Sequence, residues 1–161
     1  MTIQPGNLMP SGDLTQVGKD GPEIVSADDL FANKRVIMFG LPGAFTPTCS
    51  EAHLPGYAKH FDLFKAKGID TVACLTVNDH FVVAAWARFL NIDGITLLAD
   101  GNADYVTALG MNVDMSDRGF GVRSARFALL AENKSVTHVA REATPKDHGV
   151  SSAESIFAIL N

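Results

Sequence analysis

The chain reads as an α/β protein, a central mixed sheet flanked by helices, and three observations predict it. Apolar runs of strand length alternate with stretches of helical period, a hairpin pattern follows, and residues 151–160 read as one more helix. Residues 1–22 carry Pro5, Gly6, Pro10, Gly12, Gly18, Gly21 and Pro22, so they read as loop with room for one short hairpin. Ser26-Ala-Asp-Asp-Leu-Phe31 has a capping serine and an acidic third position, which predicts a helical turn. Residues 35–41, RVIMFGL, form a continuous apolar run and predict a strand buried on both faces. Leu54, Tyr57, Phe61 and Phe64 recur at helical spacing, and Gly68 closes that helix. Pro55 falls inside it and is expected to kink or interrupt it. A second strand is expected at 70–77, then a helix through HFVVAAWARFL that Asn78 or Asp79 caps and that ends before Gly94. Its aromatics, Phe81, Trp86 and Phe89, read as core. A third strand at 95–100 and a short helix at 102–110 follow. Residues 126–142 alternate around Glu132-Asn-Lys134 as a hairpin. Ser151 and Glu154 suggest a capping box for the final helix.

The 161 residues suit a single domain, 1–161, with a core large enough to need neither disulfides nor a metal. A formal net charge of −5 leaves no basic excess for phosphate neutralisation, so nucleic acid is not an expected partner. No apolar stretch has the length of a membrane span, and the start lacks the pattern of a signal peptide. Two cysteines make no secreted disulfide framework, so cytoplasmic residence is the expectation, with thiols held reduced.

The stretch LPGAFTPTCS, residues 41–50, ends on one of those cysteines. Cys49 follows a buried strand and a turn and falls near the first turn of the next helix. There, unpaired backbone N–H groups and the helix dipole favour a thiolate. Pro47 suits a helix start, and Thr46 lies one turn before the sulfur, with a hydroxyl able both to accept and to donate. Free cysteines are also among the most buried and inert of residues, and the residues alone leave both readings open. Spacing narrows the chemistry. Positions 46 and 52 are Thr and Ala, so there is no CxxC pair, and Pro55 stands where a cysteine phosphatase would place arginine. CSEAH offers one Cys and one His, too few for zinc. His53, His60, His80, His138 and His148 are scattered and read as surface or packing residues.

The pattern Pro42-x-x-x-Thr46-x-x-Cys49 resembles the active-site motif of peroxiredoxins, and PGAFTPTCSEAHLPGY (42–57) resembles the peroxiredoxin-5, or plant type II, branch. The likeness continues through residues 67–88, 97–111 and 119–130. It implies a thioredoxin-like fold and a thiol-dependent reduction of hydrogen peroxide and organic hydroperoxides, without cofactor or metal. By resemblance Cys49 is the peroxidatic cysteine and passes through a sulfenic acid. Pro42 shields it, Thr46 contacts thiolate and peroxide with help from backbone amides of residues 44–49, and the active-site arginine falls on Arg126. A guanidinium there would favour the thiolate and stabilise the leaving oxygen. Arg118 and Arg123 read as surface charges.

Cys74, 25 positions after Cys49, matches the cysteine proposed to resolve the sulfenic acid in plant type II relatives. Its place about three residues short of a strand end sets it roughly 10 Å from the edge where Cys49 belongs. A buried strand residue is the favoured reading. Ser151 and Ser152 occupy the segment that carries the resolving cysteine in animal relatives. Glutathione, a glutaredoxin or thioredoxin is then the expected reductant, as a separate molecule since no fused glutaredoxin domain is expected, and a homodimer is expected by resemblance. Two other readings stay open: a thioredoxin-like redox sensor or chaperone without efficient turnover, and a cysteine hydrolase, which lacks a positioned histidine.

Overall fold

The computed structural model describes residues 1–160. Seven strands form one mixed sheet: β1 (Asp13–Gly18), β2 (Gly21–Ser26), β3 (Arg35–Leu41), β4 (Thr71–Thr76), β5 (Thr96–Ala99), β8 (Phe127–Glu132) and β9 (Ser135–Arg141). Their spatial order is β2-β1-β5-β4-β3-β8-β9. β3, β4 and β5 run parallel, and the outer strands join them antiparallel. A separate two-stranded ribbon, β6 (Asn112–Asp114) with β7 (Val122–Ser124), leads into β8.

Residues of β3 alternate between two cores, as the strand pleat requires. Ile37, Phe39 and Leu41 face a cluster with Leu54, Tyr57 and Phe64 of α2 (Leu54–Ala66), Val83 and Trp86 of α3 (His80–Leu90), and Ile156 of α5 (Ala153–Ala158). Val36 and Met38 face the other side, with Phe31 of α1 (Ala27–Phe31) and Tyr105 and Val106 of α4 (Asp104–Ala108). The run RVIMFGL is unbroken because both of its faces are covered.

Local chemistry sets the element ends. Ser26 accepts from the Asp28 N–H to start α1, and Asp79 accepts from Val82 to start α3. Helix α2 ends in a Schellman turn: Ile69 N–H donates to the Phe64 carbonyl, Gly68 N–H donates to Lys65, and Gly68 takes φ +84°. Three expectations shift. The hairpin among the first residues runs 13–26, longer than the glycines and prolines of 1–22 suggest. The cap of α5 is Ser152, which accepts from Ser155, one residue later than the Ser151/Glu154 pairing. Of the aromatics on α3 only Trp86 is core; Phe81 and Phe89 are 75% and 73% exposed.

Candidate active site

Pro55 does not end its helix, but the α-helical pattern is interrupted just before it. Helical backbone runs from Pro47 to Ala66, with a π-helical turn at Cys49–His53 in which Leu54 N–H donates to the Cys49 carbonyl. The carbonyl that proline would crowd, four residues back at Glu51, lies in this widened turn, so the π geometry is what admits Pro55. Pro47 occupies the first helical residue, and the first i→i+4 bond joins Ser50 N–H to the Thr46 carbonyl. Thr48 and Cys49 precede it, so their amides belong to the open helix start. Trp86 Nε1 donates to Ser50 Oγ at 2.9 Å and ties α3 to this turn.

The loop before the turn is held by groups distant in sequence. Ala44 N–H donates to Asn78 Oδ1 at 2.9 Å, and Thr76 Oγ1 donates to the same oxygen at 2.7 Å. The Ala44 amide is therefore engaged rather than available to a ligand. Phe45 adopts φ +63°, a left-handed conformation unusual for a bulky residue, and its ring is half exposed against Phe89, centroids 5.7 Å apart. Arg123 is not a free surface charge: it donates through NH1 to the Pro42 carbonyl at 3.3 Å and through Nε to Phe120. A Cβ at Gly43 would lie 2.5 Å from that NH1, so a side chain there would displace the Arg123 guanidinium.

Cys49 has no exposed surface, and neither does Cys74; both are free thiols. Arg126, 2% exposed and immediately before β8, aims NH2 at the Cys49 sulfur, 3.3 Å away. Its NH1 donates to His53 Nδ1 at 3.0 Å and its Nε to the Pro145 carbonyl at 3.1 Å. Thr46 Oγ1 gives its proton to the Gly43 carbonyl at 2.7 Å, not to the sulfur, so toward the pocket it can act only as an acceptor. Pro42, Thr46, Pro47, Thr48, Arg126 and Pro145 are among the walls of a cavity of roughly 280 Å³ in front of the turn. Arg118 and Lys146, both exposed, reach its rim.

The structure thus brings Pro42, Thr46, Cys49 and Arg126 together and leaves Cys74 inside the sheet. Cys74 pairs with Phe39 in β3 and Leu97 in β5, on the same face as Cys49. Burial first, then the nearby Cys49, pushes its thiol well above the ordinary range. His53 was not expected here. It is fully buried, and burial first, then Arg126 and His148, holds its imidazole well below the ordinary value. Its position four residues after Cys49, one turn on, was the only signal in the sequence. No group of three or more metal-ligating side chains forms among the described residues.

A family model described as Redoxin matches residues 4–157. Peroxiredoxin-2C of Oryza sativa subsp. japonica is 44% identical over 157 residues, covering 96% of each chain. Peroxiredoxin-2D of Arabidopsis thaliana is 42% identical over 160 residues, covering 98% of each. Among solved structures, reduced Prx3 from Vibrio vulnificus in complex with H2O2 superposes with a TM-score of 0.94 at 46% identity, over 99% of this chain and all of that one. With that match in sequence and in the thioredoxin-like fold, the chain belongs to the Redoxin family and, within it, to the type II peroxiredoxins, which are thiol peroxidases.

Proposed function

We propose that this peroxidase reduces hydrogen peroxide and small organic hydroperoxides at Cys49 and is recycled by an external thiol. The observation that carries the assignment is the Arg126 NH2 aimed at the Cys49 sulfur at 3.3 Å, in a buried site beside an open cavity. A hydroperoxide in that cavity can donate its O–H to Thr46 Oγ1, whose own proton is already committed to Gly43. The Cys49 thiolate attacks the terminal, proton-bearing oxygen. The S–O bond forms as the O–O bond breaks, Cys49 becomes S–OH, and the alkoxide or hydroxide leaves and takes a proton from solvent. Arg126 stands where negative charge moves from sulfur to the leaving oxygen, so its fixed cation serves the transition state.

The surroundings of Cys74 support recycling by an external thiol, for which glutathione, a glutaredoxin and thioredoxin are the candidates. A thiol buried in mid-strand and pushed upward is a poor nucleophile. An external thiol attacks the sulfenic sulfur, water leaves and a mixed disulfide forms; a second thiol then releases Cys49. Because Cys49 has no exposed surface, the turn that carries it must open for that step. Such a cycle suits a reducing compartment such as the cytoplasm. A homodimer is supported by exposed Phe45 and Phe89, an apolar pair that continues from the active-site loop onto α3.

The test is peroxide consumption with glutathione plus glutaredoxin, and separately with thioredoxin, repeated on Cys49→Ser. Multiple turnovers lost in the variant are expected. Turnover unchanged in Cys49→Ser would overturn the assignment, and single-turnover oxidation with every reductant would favour the redox-sensor reading.

A further inference from the structure

Arg126 is a buried cation with no carboxylate paired to it among the described residues. Its Nε and NH1 go to two neutral acceptors, the Pro145 carbonyl and His53 Nδ1, and NH2 goes to the sulfur. The carboxylate of Glu142 is turned away, taking the N–H groups of Gly149 and Ser151 and the Ser151 hydroxyl at 2.7–2.9 Å. A carboxylate on the guanidinium would fix it equally well but would offset its charge at the sulfur. A neutral acceptor fixes the geometry and leaves the charge for the reaction.

We propose that His53 is a positioning residue for Arg126, acting as a neutral imidazole locked in its Nε2-protonated tautomer. This rests on the reading of Arg126 as the group that serves Cys49. A guanidinium can only donate, so His53 Nδ1 must carry the lone pair. The proton then sits on Nε2, which faces the Ser151 carbonyl at 3.2 Å. Tyr57 donates to the same carbonyl at 2.7 Å, and Glu142 holds Ser151 from the other side. The tautomer is thus set from both ends. Protonating Nδ1 would place two cations face to face, which burial and Arg126 oppose. The ring is further fixed by Phe39 and by the edge of His148, at centroid distances of 5.0 and 5.1 Å. Cys49 and His53 lie on one turn, so a turn that opens to expose the oxidised sulfur also withdraws the acceptor from Arg126.

Two substitutions separate the two ring nitrogens. His53→Asn places an acceptor near the Nδ1 position; His53→Gln reaches toward Ser151 and leaves Arg126 NH1 without its partner. The readouts are the second-order rate constant with hydrogen peroxide and the pH profile of Cys49 alkylation by iodoacetamide. The Gln variant is expected to lose about 10- to 100-fold in the peroxide rate, a fraction of what a missing charge-stabilising donor costs. Its alkylation profile should move to higher pH, while the Asn variant stays within about threefold of the parent. Equal impairment of both variants, or a Gln variant indistinguishable from the parent, would overturn the proposal. The parent protein gives a test that needs no variant: long-range 1H–15N spectra should show His53 in the reduced protein protonated at Nε2 alone. A proton on Nδ1 would overturn the proposal. Failure of the underlying reading is a separate result, an Arg126→Gln variant with undiminished peroxide rate.

Discussion

The two cysteines share a face of the sheet and a complete lack of exposed surface, yet their surroundings differ in kind. Cys49 sits on a π turn at a helix start, with a guanidinium N–H on its sulfur and a cavity beyond. Cys74 sits in mid-strand between Phe39 and Leu97, where burial pushes its thiol up. Burial alone therefore says nothing of reactivity. What differs is whether a charged donor and an open volume accompany the sulfur.

The comparison breaks most directly at the cysteines. Cys49→Ser is expected to abolish peroxide turnover, whereas Cys74→Ser should keep the rate with glutathione within about twofold. A Cys74→Ser variant arrested after one turnover would make the two cysteines partners. Arg126→Gln removes the feature that separates the two sites and should lower the peroxide rate by about 10²–10³-fold. Stopped-flow measurement of peroxide loss checks it. Thr46→Val removes an acceptor in the cavity and should cost about tenfold, with Thr46→Ser close to the parent.

Stability against pH sharpens the contrast at lower cost. His53 and His148 are both held below the imidazole's ordinary 6.5, by burial first and then by Arg126. Groups with a depressed folded value bind protons more readily when unfolded, so their contribution is present above 6.5 and is lost as pH falls from there. Thermal melting should drop between pH 7 and 5, and His53→Asn should flatten the slope. Burial raises the Glu142 carboxyl, but its three hydrogen bonds to Ser151 and Gly149 outweigh that and hold it below the ordinary 4.5. Its contribution is present above 4.5 and fades as pH falls further, loosening the segment that carries Pro145 and Ser151. Hydrogen exchange of the Gly149 and Ser151 amides would report this.

Much of this was legible in the sequence because the signals were local. RVIMFGL announced a strand covered on both faces, Gly68 marked one helix end and Asn78 or Asp79 the start of another, and PGAFTPTC with RSARF carried the site by resemblance. The π turn was hidden because Pro55 reads as a breaker until a widened turn is allowed. His53 was hidden because a histidine's role depends on which distant side chain faces it, here Arg126, 73 residues away. The strain at Phe45 and the Asn78 contact to Ala44 likewise arise from long-range packing that no spacing encodes. On α3, the aromatics give no period that separates buried Trp86 from exposed Phe81 and Phe89.

The central claim is that Cys49 alone takes the oxygen and that rescue comes from outside the chain. Intact mass analysis after one equivalent of hydrogen peroxide, with and without glutathione, tests it directly. The account predicts one added oxygen, localised to Cys49 and replaced by a glutathione adduct when glutathione is present. A loss of two hydrogens, with a Cys49–Cys74 disulfide found on digestion, would contradict it.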